Sequence, residues 1–118
     1  GGDRVLIGNR QEMREAFSRA AILSNEKYKG VRVILTTGEL KILANNPEQE
    51  EAEETVSVDY TGEPLEIGFN VGYLIDVLST LSSPNVKITL SDPNSSALLE
   101  AEAKEGSDAV YVVMPMRL

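Results

Sequence analysis

Cysteine, histidine and tryptophan are absent from this chain of 118 residues. The lack of cysteine excludes disulfides and thiolate nucleophiles, and it predicts a cytoplasmic location. Without histidine the chain also lacks the commonest general base, and without both residues it lacks the usual ligands of zinc. Carboxylate, lysine, serine or tyrosine side chains remain possible catalysts, but no catalytic motif is present. We therefore expect no enzymatic activity, no metal site and no cofactor.

Long apolar runs are also missing. No segment approaches the ~20 apolar residues of a membrane-spanning helix, and there is no signal-peptide pattern. We therefore expect no membrane partner. The chain has 19 acidic against 11 basic residues, a net charge of −8. This charge disfavours binding of the whole domain to nucleic acid or to an anionic membrane.

The length is that of a single domain. Gly1 and Gly2 are typical of an expression-tag remnant, so the predicted domain covers residues 3–118. Within it the same order of elements occurs twice, as strand, helix and three strands. Each half opens with a short strand that ends in an asparagine, Asn9 or Asn70, and that residue type favours the start of a helix. The predicted helices are 10–23 and 71–81, and the predicted strands are 4–9, 30–35, 40–44, 52–58, 65–70, 86–90, 96–101 and 108–114.

Apolar spacing gives both helices one buried face. The predicted core positions are Met13, Ala16, Phe17, Ala20 and Ala21 in the first helix, and Val71, Leu74, Ile75, Leu78 and Leu81 in the second. A duplicated βαβββ unit of this kind predicts an α+β fold, in which two adjacent helices pack on antiparallel sheet of eight strands.

The last eight residues combine a strand-like apolar run with a proline, two methionines and a cation. A plug for the core is one reading of this segment. The other starts from Pro115, which has no N–H for a sheet ladder, so that residues 116–118 should leave the sheet and lie on the surface. Methionines on a surface beside a cation are typical of an adaptable peptide-binding groove.

Two further features lie outside the predicted core. Ile22 falls on the side of the first helix opposite Met13, where it either caps the helix end or makes a protein contact. Residues 48–54 carry five carboxylates. Such a run either blocks aggregation at a strand edge or binds a basic partner, and a divalent metal is the weaker alternative because the ligand spacing of a calcium loop is missing.

Four stretches resemble a known family closely: residues 20–27, 44–54, 67–71 and 111–118. They are similar to the third domain of the bacterial DNA polymerase III sliding clamp, its β subunit. The strings Asn-Asn-Pro-Glu-Gln-Glu and Met-Pro-Met-Arg-Leu are the most specific, and the likeness covers nearly everything after Gly2. The resemblance implies the DNA clamp domain fold and a homodimeric, head-to-tail ring of six similar domains, with helices lining a DNA channel.

The resemblance also implies three sets of site residues. A pocket for the clamp-binding motifs of DNA polymerases, the clamp loader and repair proteins would use Tyr73, Ser96, Val112, Met114, Pro115, Met116 and Arg117. The dimer interface would use Ile22, Leu23, Glu48, Glu50, Glu51 and Glu54. The DNA-facing candidates are Arg10, Arg14, Lys27 and Lys29.

In this reading the chain is part of a replication processivity factor that holds duplex DNA only as an intact ring. The isolated domain is expected to be a monomer, although the full-length protein would be a homodimer. The sequence has no counterpart of the first two domains of that family, and a stand-alone peptide-binding or assembly module is the alternative. A natural gene of three such domains would favour the clamp, and a gene of one domain would favour the alternative.

Overall fold

A computed structural model describes residues 4–23, 30–45, 51–91, 95–101 and 110–116. The helices are α1 (Arg10–Leu23) and α2 (Val71–Thr80). The strands are β1 (Arg4–Asn9), β2 (Gly30–Thr36), β3 (Glu39–Asn45), β4 (Glu51–Asp59), β5 (Leu65–Asn70), β6 (Asn85–Leu90), β7 (Ala97–Ala101), β8 (Val110–Val113) and β9 (Pro115–Met116). None of the helices described is long and apolar enough to cross a membrane.

Both helices begin at the predicted asparagines. The Asn9 side chain accepts a hydrogen bond from the Glu12 backbone N–H at 2.8 Å, and Asn70 accepts one from the Gly72 N–H at 2.9 Å. Each bond satisfies an amide that the helix itself leaves without a partner. The first strand of each half is thereby joined directly to its helix.

The nine strands form one sheet in the order β8-β7-β6-β1-β4-β3-β2-β5-β9, and every pairing among them is antiparallel. The two halves exchange their first strands. β1 pairs with β6 of the second half along its whole length, and β5 pairs with β2 of the first half. β1 and β4 share only two residue pairs, so a four-stranded part (β8-β7-β6-β1) and a five-stranded part (β4-β3-β2-β5-β9) meet at this junction.

Strand pairing relates the two halves residue by residue. At the β1–β4 junction Gly8 is paired with Val58, and at the β5–β9 junction Phe69 is paired with Pro115. Gly8 and Phe69 each precede a helix-capping asparagine, so they correspond to each other, and so do their strand partners Val58 and Pro115. Two residues before these partners, Val56 corresponds to Val113, and both side chains are buried. We refer to such pairs of positions, one in each half, as equivalent positions.

The prediction that residues 116–118 leave the sheet was wrong for Met116, and Arg117 and Leu118 lie outside the described residues. Pro115 and Met116 form β9, which pairs with Phe69 and Gly68 of β5, so the sheet has nine strands instead of eight. In the first half the equivalent strand, β4, is continuous and pairs with both β3 and β1. In the second half the strand is interrupted at Met114, between β8 and β9. Proline is compatible with this place because β9 lies at the edge of the sheet.

The helices pack on the inner face of the sheet, and their apolar stripes form the core. Met13, Ala16, Phe17 and Ala20 of α1 are buried, as are Val71, Leu74 and Leu78 of α2. Ala21 and Ile75 are partly buried against the same cluster. Leu81 is buried as predicted but lies just beyond α2, where it is the C-cap. The outward positions of the strands carry most of their charged and polar residues.

Candidate functional site

The predicted pocket residues gather around the corner where β5 turns into α2. Tyr73 lies in the first turn of α2, and its backbone N–H donates to the Asn70 side chain at 3.4 Å. Phe69, the residue before that cap, is paired with Pro115 of β9. The start of α2 and the C-terminal segment are therefore neighbours, and we call this region the docking corner.

The side chains at the docking corner are apolar and open to solvent. Tyr73 is 62% exposed, Val112 60% and Met114 71%, and Met116 is also exposed. Ser96 is half-buried and directly precedes Ala97, which is paired with Val113. Since Met114 follows Val113, Ser96 and Met114 lie at the same end of the β7–β8 ladder. Arg117 lies outside the described residues.

Exposed apolar side chains of this size on several neighbouring elements form a surface that can bind a ligand. Two methionines can repack around different apolar side chains, because their thioether chains are flexible and unbranched. Tyr73 adds a rigid ring with a hydroxyl that can hold a polar group. The arrangement suits an apolar peptide and shows no catalytic constellation among the residues described.

The equivalent corner of the first half has a different chemistry. A depression of about 530 Å³ lies there, where β1 meets β4, and its lining residues are Ile7, Gly8, Asn9, Ser57, Val58, Asp59 and Asn85. By the strand pairing, Ser57 and Asp59 occupy the positions equivalent to Met114 and Met116. The apolar character of the docking corner is therefore a property of the second half alone.

A second site predicted from the sequence lies at the end of α1. Ile22 is 84% exposed. One turn before it, Arg19 forms an ion pair with Glu54 of β4, with 2.9 Å between Nε and Oε1. The helix end and the acidic strand are thus neighbours. Glu51 is exposed on the same strand, whereas Glu48, Glu50 and the Leu23 side chain lie outside the described part of the structure.

The acidic strand also has a free edge beside Ile22. β4 is paired with β3 from Glu51 to Ser57, and only Val58 and Asp59 pair with β1 on its other side. Among the described residues, the stretch from Glu51 to Ser57 therefore has one neighbouring strand. Backbone groups on such an edge can pair with a strand of another chain.

Arg10, one of the DNA-facing candidates, makes two side-chain hydrogen bonds within the fold. Its Nη1 donates to the carbonyl oxygen of Leu78 at 2.7 Å, and its Nε donates to the carbonyl oxygen of Ser83 at 2.8 Å. The guanidinium thus caps the C-terminal end of α2, where helix carbonyls lack partners. Arg14 is half-buried on α1, and Lys27 and Lys29 lie outside the described residues.

Sequence reasoning overlooked three exposed apolar residues on the outer face of the sheet: Val5, Leu98 and Val110. The strand prediction for residues 96–101 already contained the signal for Leu98. Side chains alternate between the two faces of a strand, so a residue between the buried Ala97 and Leu99 has to point outward. The cap formed by Arg10 has no comparable signal, because its acceptors are backbone carbonyls 68 and 73 residues away.

Comparison with known proteins identifies the family of the chain. Residues 1–117 match the family described as DNA polymerase III beta subunit, C-terminal domain. Over its 118 residues the chain is 63% identical to the beta sliding clamp of Pseudomonas putida, and it is 56% identical over 116 residues to that of Escherichia coli K12. It covers 32% and 31% of these relatives, so it spans about a third of their length.

Solved structures agree on the fold. The chain superposes on the DNA polymerase sliding clamp of Pseudomonas aeruginosa with a TM-score of 0.94 and 62% identity, covering 100% of this chain and 32% of that one. The Caulobacter crescentus beta sliding clamp gives a TM-score of 0.93 at 33% identity, covering 100% and 31%. The expected clamp fold is thereby confirmed. The chain belongs to the DNA polymerase III beta subunit family, the bacterial sliding clamps of DNA replication, as its C-terminal domain.

Proposed function

We propose that this chain is the C-terminal domain of a replication clamp, a processivity factor that holds polymerases on duplex DNA. Its part would be to supply a docking site for short peptide motifs and one half of a head-to-tail dimer interface. The observation that carries the proposal is the docking corner, where Tyr73, Val112 and Met114 are exposed together in a chain of this family. Polymerases, the clamp loader and repair proteins would be the partners.

The docking corner fits an extended motif with a glutamine near its start and leucine or phenylalanine at its end. The apolar side chains would pack between Tyr73, Val112 and the methionines, and the hydroxyl of Ser96 would hold a polar group of the motif. A disordered peptide loses chain entropy on docking, so binding to the isolated domain should be weak, with a Kd on the order of tens of micromolar or more.

The end of α1 and the free edge of β4 fit the role of a dimer interface. Ile22 would supply the apolar contact, and the edge from Glu51 to Ser57 would receive a strand of the partner. Glu54 is paired with Arg19 within the chain. The carboxylates would therefore set the register of the dimer contact and its salt dependence more than its affinity. Because this interface is heterologous, the domain on its own should stay monomeric.

DNA would be held by the closed ring and not by this domain alone. A net charge of −8 opposes phosphate binding, and a single domain cannot encircle a duplex. We assign the protein to the cytoplasm, where replication takes place, and we assign it no catalytic step and no cofactor.

Titration of a labelled domain with a synthetic peptide tests the docking function. The peptide carries a glutamine near its start and a Leu-Phe pair at its end, and a matched control peptide has alanine at these three positions. NMR shift changes should concentrate on Tyr73, Val112 and Met114, and the control peptide should cause none. Tyr73→Ala should weaken binding several-fold, whereas Ile22→Ala should leave it unchanged.

Point substitutions test the site better than truncation does. Met116 is paired with Gly68, so its removal would take away part of the strand that pairs with β5. Shift changes confined to Ile22 and the Glu51 edge, with Tyr73 and Met114 silent, would refute the site.

A further inference from the structure

A row of outward-pointing side chains crosses the outer face of the sheet beside the docking corner. Val112 of β8 is paired with Leu98 of β7, which in turn is paired with Thr89 of β6. Thr89 is paired with Val5 of β1. These side chains alternate with buried neighbours along their strands, so they share the face away from the helices. We call the four residues the outer row.

The other half of the molecule has an equivalent row. Thr55 of β4 is paired with Lys41 of β3, and Lys41 is paired with Ile34 of β2. Ile34 is paired with Glu66 of β5. Counted in the same way from the two junctions, the residues of this row are equivalent to those of the outer row: Thr55 to Val112, Lys41 to Leu98, Ile34 to Thr89 and Glu66 to Val5. The duplication therefore provides an internal comparison for the outer row.

The two rows differ in polarity, and the outer row is the more apolar at three of the four positions; at the fourth it has Thr89 where the equivalent row has Ile34. In the equivalent row, Glu66 pairs with Arg32 at 2.8 Å and Lys41 lies 3.8 Å from Glu53, as expected for a face that meets only water. In the outer row, the matching positions hold Val5 and Leu98, both exposed, the latter by 38%. Exposed apolar side chains next to another exposed apolar surface enlarge that patch, and large patches of this kind mark interaction sites.

We propose that the outer row extends the docking corner, so that a bound partner peptide continues from Met114 and Val112 across Leu98 toward Val5. This inference rests on the proposed function. Its occupant is an extended segment of the same partner peptide, because Val112 belongs to both surfaces and the row is continuous with the corner. The acidic charge of the chain favours a neutral or basic segment.

The geometry sets the length and pattern of the added segment. Neighbouring strands lie about 4.8 Å apart, so the three steps from Val112 to Val5 span about 14 Å. An extended chain covers this with about four residues, since each contributes about 3.3 Å. Successive side chains point to opposite sides, so two of the four would face the sheet, and these two should be apolar.

Leu98 is then a specificity-determining residue for partners with this longer motif. It stands directly opposite Val112, where facing Cβ atoms are about 5 Å apart. Covering a leucine that is 38% exposed should improve affinity about fivefold. A partner that ends at the Leu-Phe pair would not use Leu98.

Three synthetic peptides test the inference on the 118-residue chain. One is the short motif with a glutamine near its start and a Leu-Phe pair at its end. The other two carry a Leu-Ser-Leu-Ser extension, one at each end of that motif. One of the two lengthened peptides should bind about fivefold more tightly than the short one. The gain should vanish in Leu98→Ser and persist in Lys41→Ser, the variant at the equivalent position. The short peptide should bind both variants equally.

Thiol labelling locates the contact independently, because the chain has no cysteine of its own. Saturation with the tighter peptide should slow the labelling of Leu98→Cys several-fold and leave that of Lys41→Cys unchanged. The inference is overturned if neither lengthened peptide binds more tightly than the short one, or if the tighter binding survives Leu98→Ser. In both cases, binding of the short peptide would still support the docking function. Slow labelling of Leu98→Cys before any peptide is added also overturns it, because the row is then covered by something else. If no peptide binds, both proposals fail.

Discussion

Replacement of Arg10 by methionine should destabilise the domain without changing its behaviour toward DNA. The guanidinium donates to the carbonyl oxygens of Leu78 and Ser83, at 2.7 and 2.8 Å, and these bonds hold the end of α2 against the start of α1. The Arg10 backbone N–H adds a bond to the Pro84 carbonyl oxygen at 2.9 Å, which the substitution retains. Methionine keeps most of the apolar stem and removes only the charged donors.

The expected loss follows from the two bonds. Hydrogen bonds with a charged partner contribute roughly 1.5–3 kcal/mol each to the free energy of unfolding. Both bonds are partly buried, so water can replace some of each, and we expect about 2 kcal/mol for the pair. For a domain of this size that lowers Tm by roughly 6–10 °C.

Urea denaturation followed by circular dichroism measures the effect, with Arg19→Met as the matched control. Arg19 pairs with Glu54 and its side chain is about half exposed, so the loss of this ion pair should cost less than about 1 kcal/mol. If Arg10→Met changes the free energy of unfolding by no more than the control does, the cap contributes nothing and the reasoning is wrong. If the two variants differ in residual affinity for duplex DNA, Arg10 has a role outside the fold.

The remaining predictions concern packing, assembly and DNA. Gly8→Ala should cost about 1–3 kcal/mol, because a Cβ there would lie 3.0 Å from both Met13 Sδ and Val58 Cγ1, and a normal Tm would contradict this crowding. Gly38→Ala should cost about 1 kcal/mol through its φ of 75° alone, since nothing lies near the added methyl group. Sedimentation should show a monomer at all practical concentrations, and a tight dimer would rule out a heterologous interface at Ile22. Fluorescence anisotropy at about 0.15 M salt should detect no binding of linear duplex DNA, and a micromolar complex would refute the charge argument.

Local sequence determined the elements and their faces. The first strand and helix of each half appear within a residue or so of their predicted bounds, because an asparagine cap and an apolar stripe act over a few neighbouring residues. The exposure of Ile22 followed from its angle on the helical wheel for the same reason. Met114 and Pro115 pointed to the docking corner because their combination in a terminal strand is unusual, whereas Tyr73 and Ser96 came from the family resemblance.

Tertiary structure decided which strands pair. Nothing in the sequence of β1 shows that it joins β6 of the other half, because the register of an antiparallel ladder depends on partners distant in the chain. The same holds for β9. A proline stops a ladder in the middle of a sheet but not at its edge, and only the assembled sheet has an edge at β5.

The position of Arg10 was decided in the same way. The prediction that Arg10 faces DNA came from the family resemblance, whereas its hydrogen bond to the Leu78 carbonyl oxygen arises only because the fold brings the end of α2 beside it. The polarity difference between the outer row and its equivalent likewise requires cross-strand pairings, since Leu98 and Val5 are 93 residues apart and become members of one row only through β6. Periodicity and capping are short-range effects and can be read from the sequence, whereas the pairing of strands and the meeting of helix ends depend on the whole chain.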